Sequence, residues 1–188
     1  MRDLEAAAGF YRQFLEAMGL DDSFTDVEHS ARRAAQLMGD WTSSVHRDEP
    51  VLSSFEAPEG ESWIAIENIQ FYSFCEHDLV PFFGTVGLAF LPGSKIAGFG
   101  GFARLVDYYS RKPQLQERLT QEIANAIDLD LEPRALLLRL TSRQLCLEMR
   151  GRGAGIMCTT YAERGLCATN AGVRQLAQTR LTQNHHVG

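Results

Sequence analysis

A chain of 188 residues, 45% hydrophobic and 22% charged, has the length and composition of one soluble globular domain, and no run approaches the roughly 18 apolar residues that a membrane span needs. Its formal charge of −6 argues against a general nucleic-acid binder, because neutralising phosphates calls for a basic surface. The opening MRDLEAAAGFYRQFLEAMG is too acidic and amphipathic for a secretory signal. A cytoplasmic chain is therefore expected, whose four cysteines (Cys75, Cys146, Cys158, Cys167) serve as ligands, nucleophiles or buried apolar side chains rather than disulfides.

From Asp3 to Met18, Leu4, Ala7, Tyr11, Phe14, Leu15 and Met18 recur at helical spacing, and Gly19 suits the position after the last turn. A second helix is expected over about 26–40, with Val27, Ala31, Ala34, Leu37, Met38 and Trp41 toward one side. These two make a helical N-terminal part over about residues 1–45. The aperiodic TSSVHRDEPVLSSFEAPEGES reads as a connection. SWIAIENIQFYSF and GTVGLAFLPG follow as β-branched and aromatic runs of strand length. Pro113 opens PQLQERLTQEIANAI, with Leu115, Leu119, Ile123 and Ile127 four apart, which predicts a helix with Pro at its first position.

ALLLRLTSRQLCLEMR, residues 135–150, reads as a strand whose second half alternates and puts Gln144, Cys146, Glu148 and Arg150 on one face. GIMCTTYAE is its expected hairpin partner, and the tail from Gly165 is weakly patterned, with room for a short helix and a polar end. No internal repeat is visible. The order helix, helix, strand, strand, helix, strand, strand implies an α+β fold with a mostly antiparallel sheet.

Chemistry concentrates in FYSFCEHDLVPFFG, where Cys75, Glu76, His77 and Asp78 lie between two aromatic runs at a strand end. Zinc favours thiolate and imidazole ligands, and a catalytic site takes three protein ligands plus an open position. Cys75 with His77 or Asp78 can supply two, and the distant Cys146 a third. The same residues are compatible with two buried small side chains and an ordinary polar turn. Cys158, in IMCTTY, reads as a half-buried strand residue with a nucleophile as the alternative, and Cys167 reads as structural. His29, His46, His185 and His186 have no motif around them and are expected at the surface.

The stretch NIQFYSFCEHDLVPFFGTVGLAFLPGSKIAGFGGFARLVDYYSRKPQLQERLTQEIANAI resembles the central region of GTP cyclohydrolase I. That family has a Cys-Glu-His-His-Leu-Val-Pro-Phe segment, an Ile-Pro turn, a Gly-Leu-Ser-Lys segment and Gln-Glu-Arg-Leu-Thr. CLEMRG and TTYAERG resemble its His-x-Cys-x-x-x-Arg-Gly strand and Thr-rich partner, so the resemblance covers about residues 4–165. It implies the tunnelling fold (T-fold): an antiparallel sheet with helices packed on one face, in a ring-forming oligomer whose sheets join into a barrel. It further implies one such domain over 1–188 with its core at about 60–165, and a homodecamer of two pentamers with sites at subunit interfaces. By the same resemblance Cys75 and Cys146 fall on the zinc cysteines, and His77 on a histidine that handles protons. Glu117, beside Gln116, falls on the acid that anchors guanine, and Arg104 and Arg150 fall on residues contacting the triphosphate. A carboxylate suits that anchor, since it accepts in parallel from the N1–H and exocyclic amine of guanine, a donor pair adenine lacks.

Three substitutions, one of them a pair of residues, depart from the family. Asp78 stands at the second histidine of the motif, a zinc ligand. A carboxylate can bind zinc, giving a triad of Cys75, Asp78 and Cys146, but three anionic ligands weaken the ion as a Lewis acid. His77 turned inward, or a site that holds no metal, are the alternatives. Gln144 replaces a histidine that protonates the imidazole ring of the substrate; an amide cannot supply that proton, and losing a positioned acid costs about 10² to 10⁴ in rate. Gly100-Gly101 replaces Ser-Lys, removing a phosphate-binding lysine, with Lys95, Arg111 and Lys112 as candidate replacements. The expected function is a divergent GTP cyclohydrolase I-like hydrolase. It would use zinc-assisted attack of water on the imidazole ring of a guanine-like purine with few or no phosphates, or of a related pterin. Ordinary conversion of GTP to 7,8-dihydroneopterin triphosphate, and a non-catalytic purine- or pterin-binding paralogue, are the alternatives.

Overall fold

A computed structural model describes residues 2–23, 25–60, 62–151, 153 and 155–182, in two compact units, one up to Arg47 and one from Asp48 onward. In the first, α1 (Leu4–Ala17) starts where the Asp3 carboxylate accepts from the Ala6 N–H at 2.9 Å, and α2 (Val27–Trp41) where Asp26 accepts from His29 N–H at 2.9 Å. Both carboxylates satisfy amides that a helix start leaves unpaired. Gly19, at φ +74°, follows the end of α1 as its position in the sequence predicts. The helices meet along small residues: Ala8, Ala31, Ala35 and Gly39 are buried, and a Cβ at 39 would come within 2.9 Å of Leu4 Cδ2.

The second unit is built on a five-stranded sheet. β2 (Ile64–Cys75) and β3 (Pro81–Leu91) form an antiparallel pair, with Phe74 opposite Pro81 and a bulge between Ile66 and Ile69. β6 (Ala135–Gln144) pairs antiparallel with β3, Phe82 facing Gln144, and β7 (Met157–Gly165) pairs antiparallel with β6. Two short strands, β1 (Ser54–Glu56) and β4 (Lys95–Ala97), form a separate ribbon. At the sheet edge β5 (Pro113–Gln114) runs parallel to the end of β2 and sets Gln114 beside Cys75.

Alternation along β3 and β6 sends Val86, Leu88, Phe90, Leu136, Leu138 and Leu140 to one face. There they are covered by Phe102, Leu105 and Val106 of α3 (Phe99–Ser110) and Leu119, Ile123 and Ile127 of α4 (Gln116–Leu131). Ala89, Leu91, Ala135 and Leu137 point the other way. They are covered by Cys167, in the one-turn α6 (Leu166–Thr169), and by Ala177 and Leu181 of α7 (Ala171–Thr182).

Four expectations are corrected. Helices lie on both faces of the sheet, because the tail folds into α7 and buries an apolar patch that the opposite parity of β3 and β6 leaves open. α3 was not foreseen: Phe102, Leu105, Val106 and Tyr109 carry the spacing, but Gly98, Gly100 and Gly101 obscure its start. The helix expected from Pro113 begins at Gln116, because Gln114 is held extended, its carbonyl accepting from Glu76 N–H at 3.1 Å. Finally, the strand ends at Gln144 and residues Leu145–Glu148 close one helical turn, α5. β3 begins at Pro81 and β7 pairs no further than Met157 with Arg143, so among the described residues no strand flanks 145–150. Gln144, Cys146, Glu148 and Arg150 therefore do not share one strand face. His29 and His46 are exposed, as expected, whereas His185 and His186 lie outside the described residues. Among those residues no helix is long and apolar enough to cross a membrane.

Candidate active site

β2 ends in a tight turn that presents the Cys-Glu-His-Asp segment. The Leu79 N–H donates to the Cys75 carbonyl at 2.8 Å and the Cys75 N–H to the Val80 carbonyl at 2.9 Å, which folds Glu76, His77 and Asp78 back over the strand end. Leu79 takes a left-handed backbone, φ +52°, uncommon for a branched side chain. Cys75 is 8% exposed, and His77 Nδ1 lies 3.9 Å from its Sγ.

Because α5 turns back immediately after β6, Cys146 arrives beside this turn. The two Sγ atoms and a carboxylate oxygen of Asp78 lie within 4.8 Å of one another. The Cys146 thiol is pushed up in pKa by burial first, then by the neighbouring Cys75 and Asp78. Three groups that are anionic once deprotonated converge here, a donor set that suits a dication, and two thiolates with a carboxylate fit zinc. Asp78 also forms an ion pair with Arg150, their side chains 26% and 59% exposed. Its neighbour Glu76 is engaged away from the thiols, by Arg118.

Next to the thiols lies a buried amide lattice. Gln116, 5% exposed, opens α4, and its Nε2 donates to the carbonyls of Leu140 (3.3 Å) and Cys158 (3.1 Å) and to Thr160 Oγ1 (3.2 Å). Its Oε1 accepts from Ser142 Oγ and Gln144 Nε2, each at 2.7 Å. Thr120 Oγ1 donates to the Gln116 carbonyl at 2.8 Å and lies 2.6 Å from Thr160 Oγ1. An amide has two N–H donors and an oxygen with two lone pairs. Gln116 is saturated by the chain itself.

These groups line one pocket of about 470 Å³, in which Cys75, His77, Gln116, Glu117, Gln144 and Cys146 meet, walled by Phe82, Leu115, Leu147 and the Cys158–Thr160 stretch of β7. Glu117, exposed in the first turn of α4, stands where the helix N-terminus favours a carboxylate. Of the expected site residues, Arg150 reaches this constellation through Asp78. Arg104 is exposed on α3 and does not line the pocket; its guanidinium lies over Gly100 and Gly101. A side chain at 101 would also meet Leu52 Cδ2 at 3.0 Å, so that glycine serves packing. The cations considered as replacements are engaged elsewhere: Lys95 with Glu132 at 3.1 Å, Arg111 with Asp107 at 2.8 Å and Lys112 with Glu122 at 3.0 Å. Cys167 is buried beneath α7, its pKa pushed up to about 11 by burial and then by Glu163.

Sequence reading missed Ser142, Thr120 and Thr160. Only the Thr-rich character of β7 hinted at them, since their roles arise where three separate elements converge on Gln116.

A model of the family GTP cyclohydrolase I matches residues 7–182. Relatives named GTP cyclohydrolase 1 from Bacillus mycoides (strain KBAB4) and Bacillus cereus (strain B4264) are each 35% identical over 175 residues, 92% of this chain and 93% of theirs. The same figures hold for the relative from Bacillus anthracis (strain CDC 684 / NRRL 3495). A solved structure of the archaeosine synthase QueF-Like in the apo form aligns over 57% of this chain and 97% of its own, at 17% identity and a TM-score of 0.49. With the family model matched over residues 7–182 and 35% identity across 92% of the chain, this chain belongs to the GTP cyclohydrolase I family.

Proposed function

We propose that this protein is a hydrolase that binds a guanine-type purine through Glu117 and, with a bound zinc ion, adds water to the imidazole ring. The observation that carries this reading is the convergence of Cys75, Asp78 and Cys146 within 4.8 Å, the two cysteines lining the pocket that Glu117 also lines. Cys75, Cys146 and Asp78 would hold the ion, which supplies Lewis acidity toward water when bound.

Each side chain has a derived part. Glu117 accepts from the N1–H and the exocyclic amine, two bonds that orient the base. Gln116, with no free hydrogen-bonding capacity, fixes the position of Gln144 and leaves base recognition to Glu117. His77 is the imidazole lining the pocket, and its ring nitrogens can accept and release a proton. Phe82, Leu115 and Leu147 give the base apolar walls. Arg150 stands at the thiol end, tied to Asp78, and is the cation available for an anionic group of the ligand. Arg104 lies outside the pocket, consistent with a site completed by a second copy in a homo-oligomeric ring; sizing the protein in solution tests that point.

Metal analysis of protein purified without added zinc, beside Cys75→Ala and Cys146→Ala, is the direct test. About one zinc per chain in the wild type and its loss from both variants is the expected result; a metal-free wild type would sink the zinc mechanism. The 35% identity to relatives named GTP cyclohydrolase 1 and the placement of Arg150 favour a second reading, turnover of GTP itself. Incubation with GTP and detection of a fluorescent oxidised pterin separates the two, and ligand binding without product would mark a non-catalytic paralogue.

A further inference from the structure

Glu76 stands between Cys75 and the His77-Asp78 pair, and it is held from outside the turn at two points. Its N–H donates to the Gln114 carbonyl at 3.1 Å, and its carboxylate forms an ion pair with Arg118, near the start of α4. Arg118 is itself anchored. Its Nε donates to Gln114 Oε1 at 2.8 Å and its Nη2 to the Pro113 carbonyl at 3.4 Å. Gln114 is fully buried, its Nε2 donating to the Tyr109 carbonyl at 3.0 Å and to Glu122 Oε2 at 2.6 Å. A planar guanidinium can serve a carboxylate and a neighbouring amide oxygen at once, a geometry that an ammonium does not reproduce. Both attachments of Glu76 therefore lead to one fixed block, β5 with the first residues of α4.

The same block carries the groups that face the ligand. Gln116, Glu117 and Arg118 are consecutive: the first bonds Gln144, the second lines the pocket, and the third grips the turn. The turn needs a grip from outside, because Leu79 holds it in a left-handed backbone at φ +52° that an L-residue resists. We propose that Arg118 is a positioning residue for the metal turn: through Glu76 it holds Cys75 and Asp78 at the separation from Cys146 that a shared ion requires. The inference rests on the zinc-binding reading above. Without the grip the three ligands are all still present, but the turn that carries two of them is free to relax away from α5, which carries the third. The loss therefore falls on metal affinity more than on folding. Groups outside the ligand shell that orient it change metal affinity by roughly 10- to 100-fold when removed.

A double-mutant cycle on the intact protein tests this, with zinc affinity read by competition with a chromophoric chelator. Arg118→Met and Glu76→Ala are each expected to weaken zinc binding about tenfold. The double variant should be no weaker than either alone, because both substitutions remove the same contact. Arg118→Lys, which keeps a charge for Glu76, is expected to bind zinc at least about threefold more tightly than Arg118→Met. Lys95→Met, which breaks an ion pair with Glu132 on the separate ribbon, should stay within about twofold of the wild type. An arginine with a purely structural role would lower the melting temperature of metal-free protein and leave zinc affinity within about twofold. That result overturns the inference and leaves the zinc reading intact, as does a cycle in which the two losses add. A wild type that binds no zinc overturns the zinc reading and this inference with it. If Arg118→Met does not fold, Glu76→Ala, which leaves the bond between Arg118 and Gln114 in place, decides by the same threshold.

Discussion

At the Gln116 end of the pocket every polar atom of the central side chain is bonded to β6, β7 or Gln144, and Ser142 and Thr120 around it are fully buried. At the Cys75 end the donors sit on a turn and a one-turn helix, two thiols and a carboxylate face one another, and Asp78 is shared with a largely exposed arginine. One end is complete in the folded chain by itself; the other is organised around a charge that must come from outside. Shape and reactivity in this pocket are therefore separable, and substitutions at the two ends should fail in different ways.

The widest separation is expected from the cysteines. Cys75→Ala or Cys146→Ala should lower zinc affinity on the order of 10³-fold, one of three ligands being lost, while the melting temperature of metal-free protein moves little. Competition with a chromophoric chelator and a thermal melt read the two quantities; a collapse of the metal-free fold would erase the contrast. Gln116→Leu should do the reverse. It removes the side chain that bonds the Leu140 and Cys158 carbonyls and leaves Ser142 and Gln144 only each other, at a cost of about 3 kcal/mol in urea unfolding, with metal-free thiol geometry nearly unchanged.

Smaller effects probe the shared carboxylate. Arg150→Ala releases Asp78 from its ion pair and removes a nearby positive charge, so zinc affinity should rise by up to about fivefold, the scale of a partly exposed pair. In an Asp78→Asn background the part of that gain owed to the pair should vanish. The smallest concerns reactivity. Burial, Cys75 and Asp78 hold the Cys146 thiol protonated, so alkylation of metal-free protein near pH 7 should be slower at Cys146 than at an unhindered model thiol, and should recover as pH rises. Peptide mapping after timed iodoacetamide treatment measures it, and faster labelling would contradict the burial of that sulfur.

Much of the architecture was legible because it follows local rules. Asp3 and Asp26 cap helices at the expected places, and the β2 and β3 runs are strands because their side chains are β-branched or aromatic over strand length. The proximity of Cys75, Asp78 and Cys146 was legible only through family resemblance, since 68 residues separate Asp78 from Cys146 and no periodicity connects them. Where reading failed, tertiary context overrode local pattern. Leu145–Glu148 alternates like a strand but has no neighbour to pair with, and Pro113 resembles a helix start but lies against the edge of β2. The weakly patterned tail becomes α7 because the far face of the sheet needs cover. The amide lattice was invisible for a different reason. Ser142, Thr120 and Thr160 are ordinary polar residues in sequence, and only their convergence on one glutamine gives them a role.

Leu79 has a consequence of its own. Its left-handed backbone, φ +52°, costs an L-residue about 1 kcal/mol, so the turn carrying Cys75, His77 and Asp78 adopts a shape that its own sequence resists. The flanking strands impose it through the Cys75–Val80 and Glu76–Gln114 bonds. The motif is consequently not portable: the fourteen-residue segment 71–84, moved as a peptide or grafted onto a foreign hairpin, would relax at Leu79 and scatter the side chains that give it chemistry.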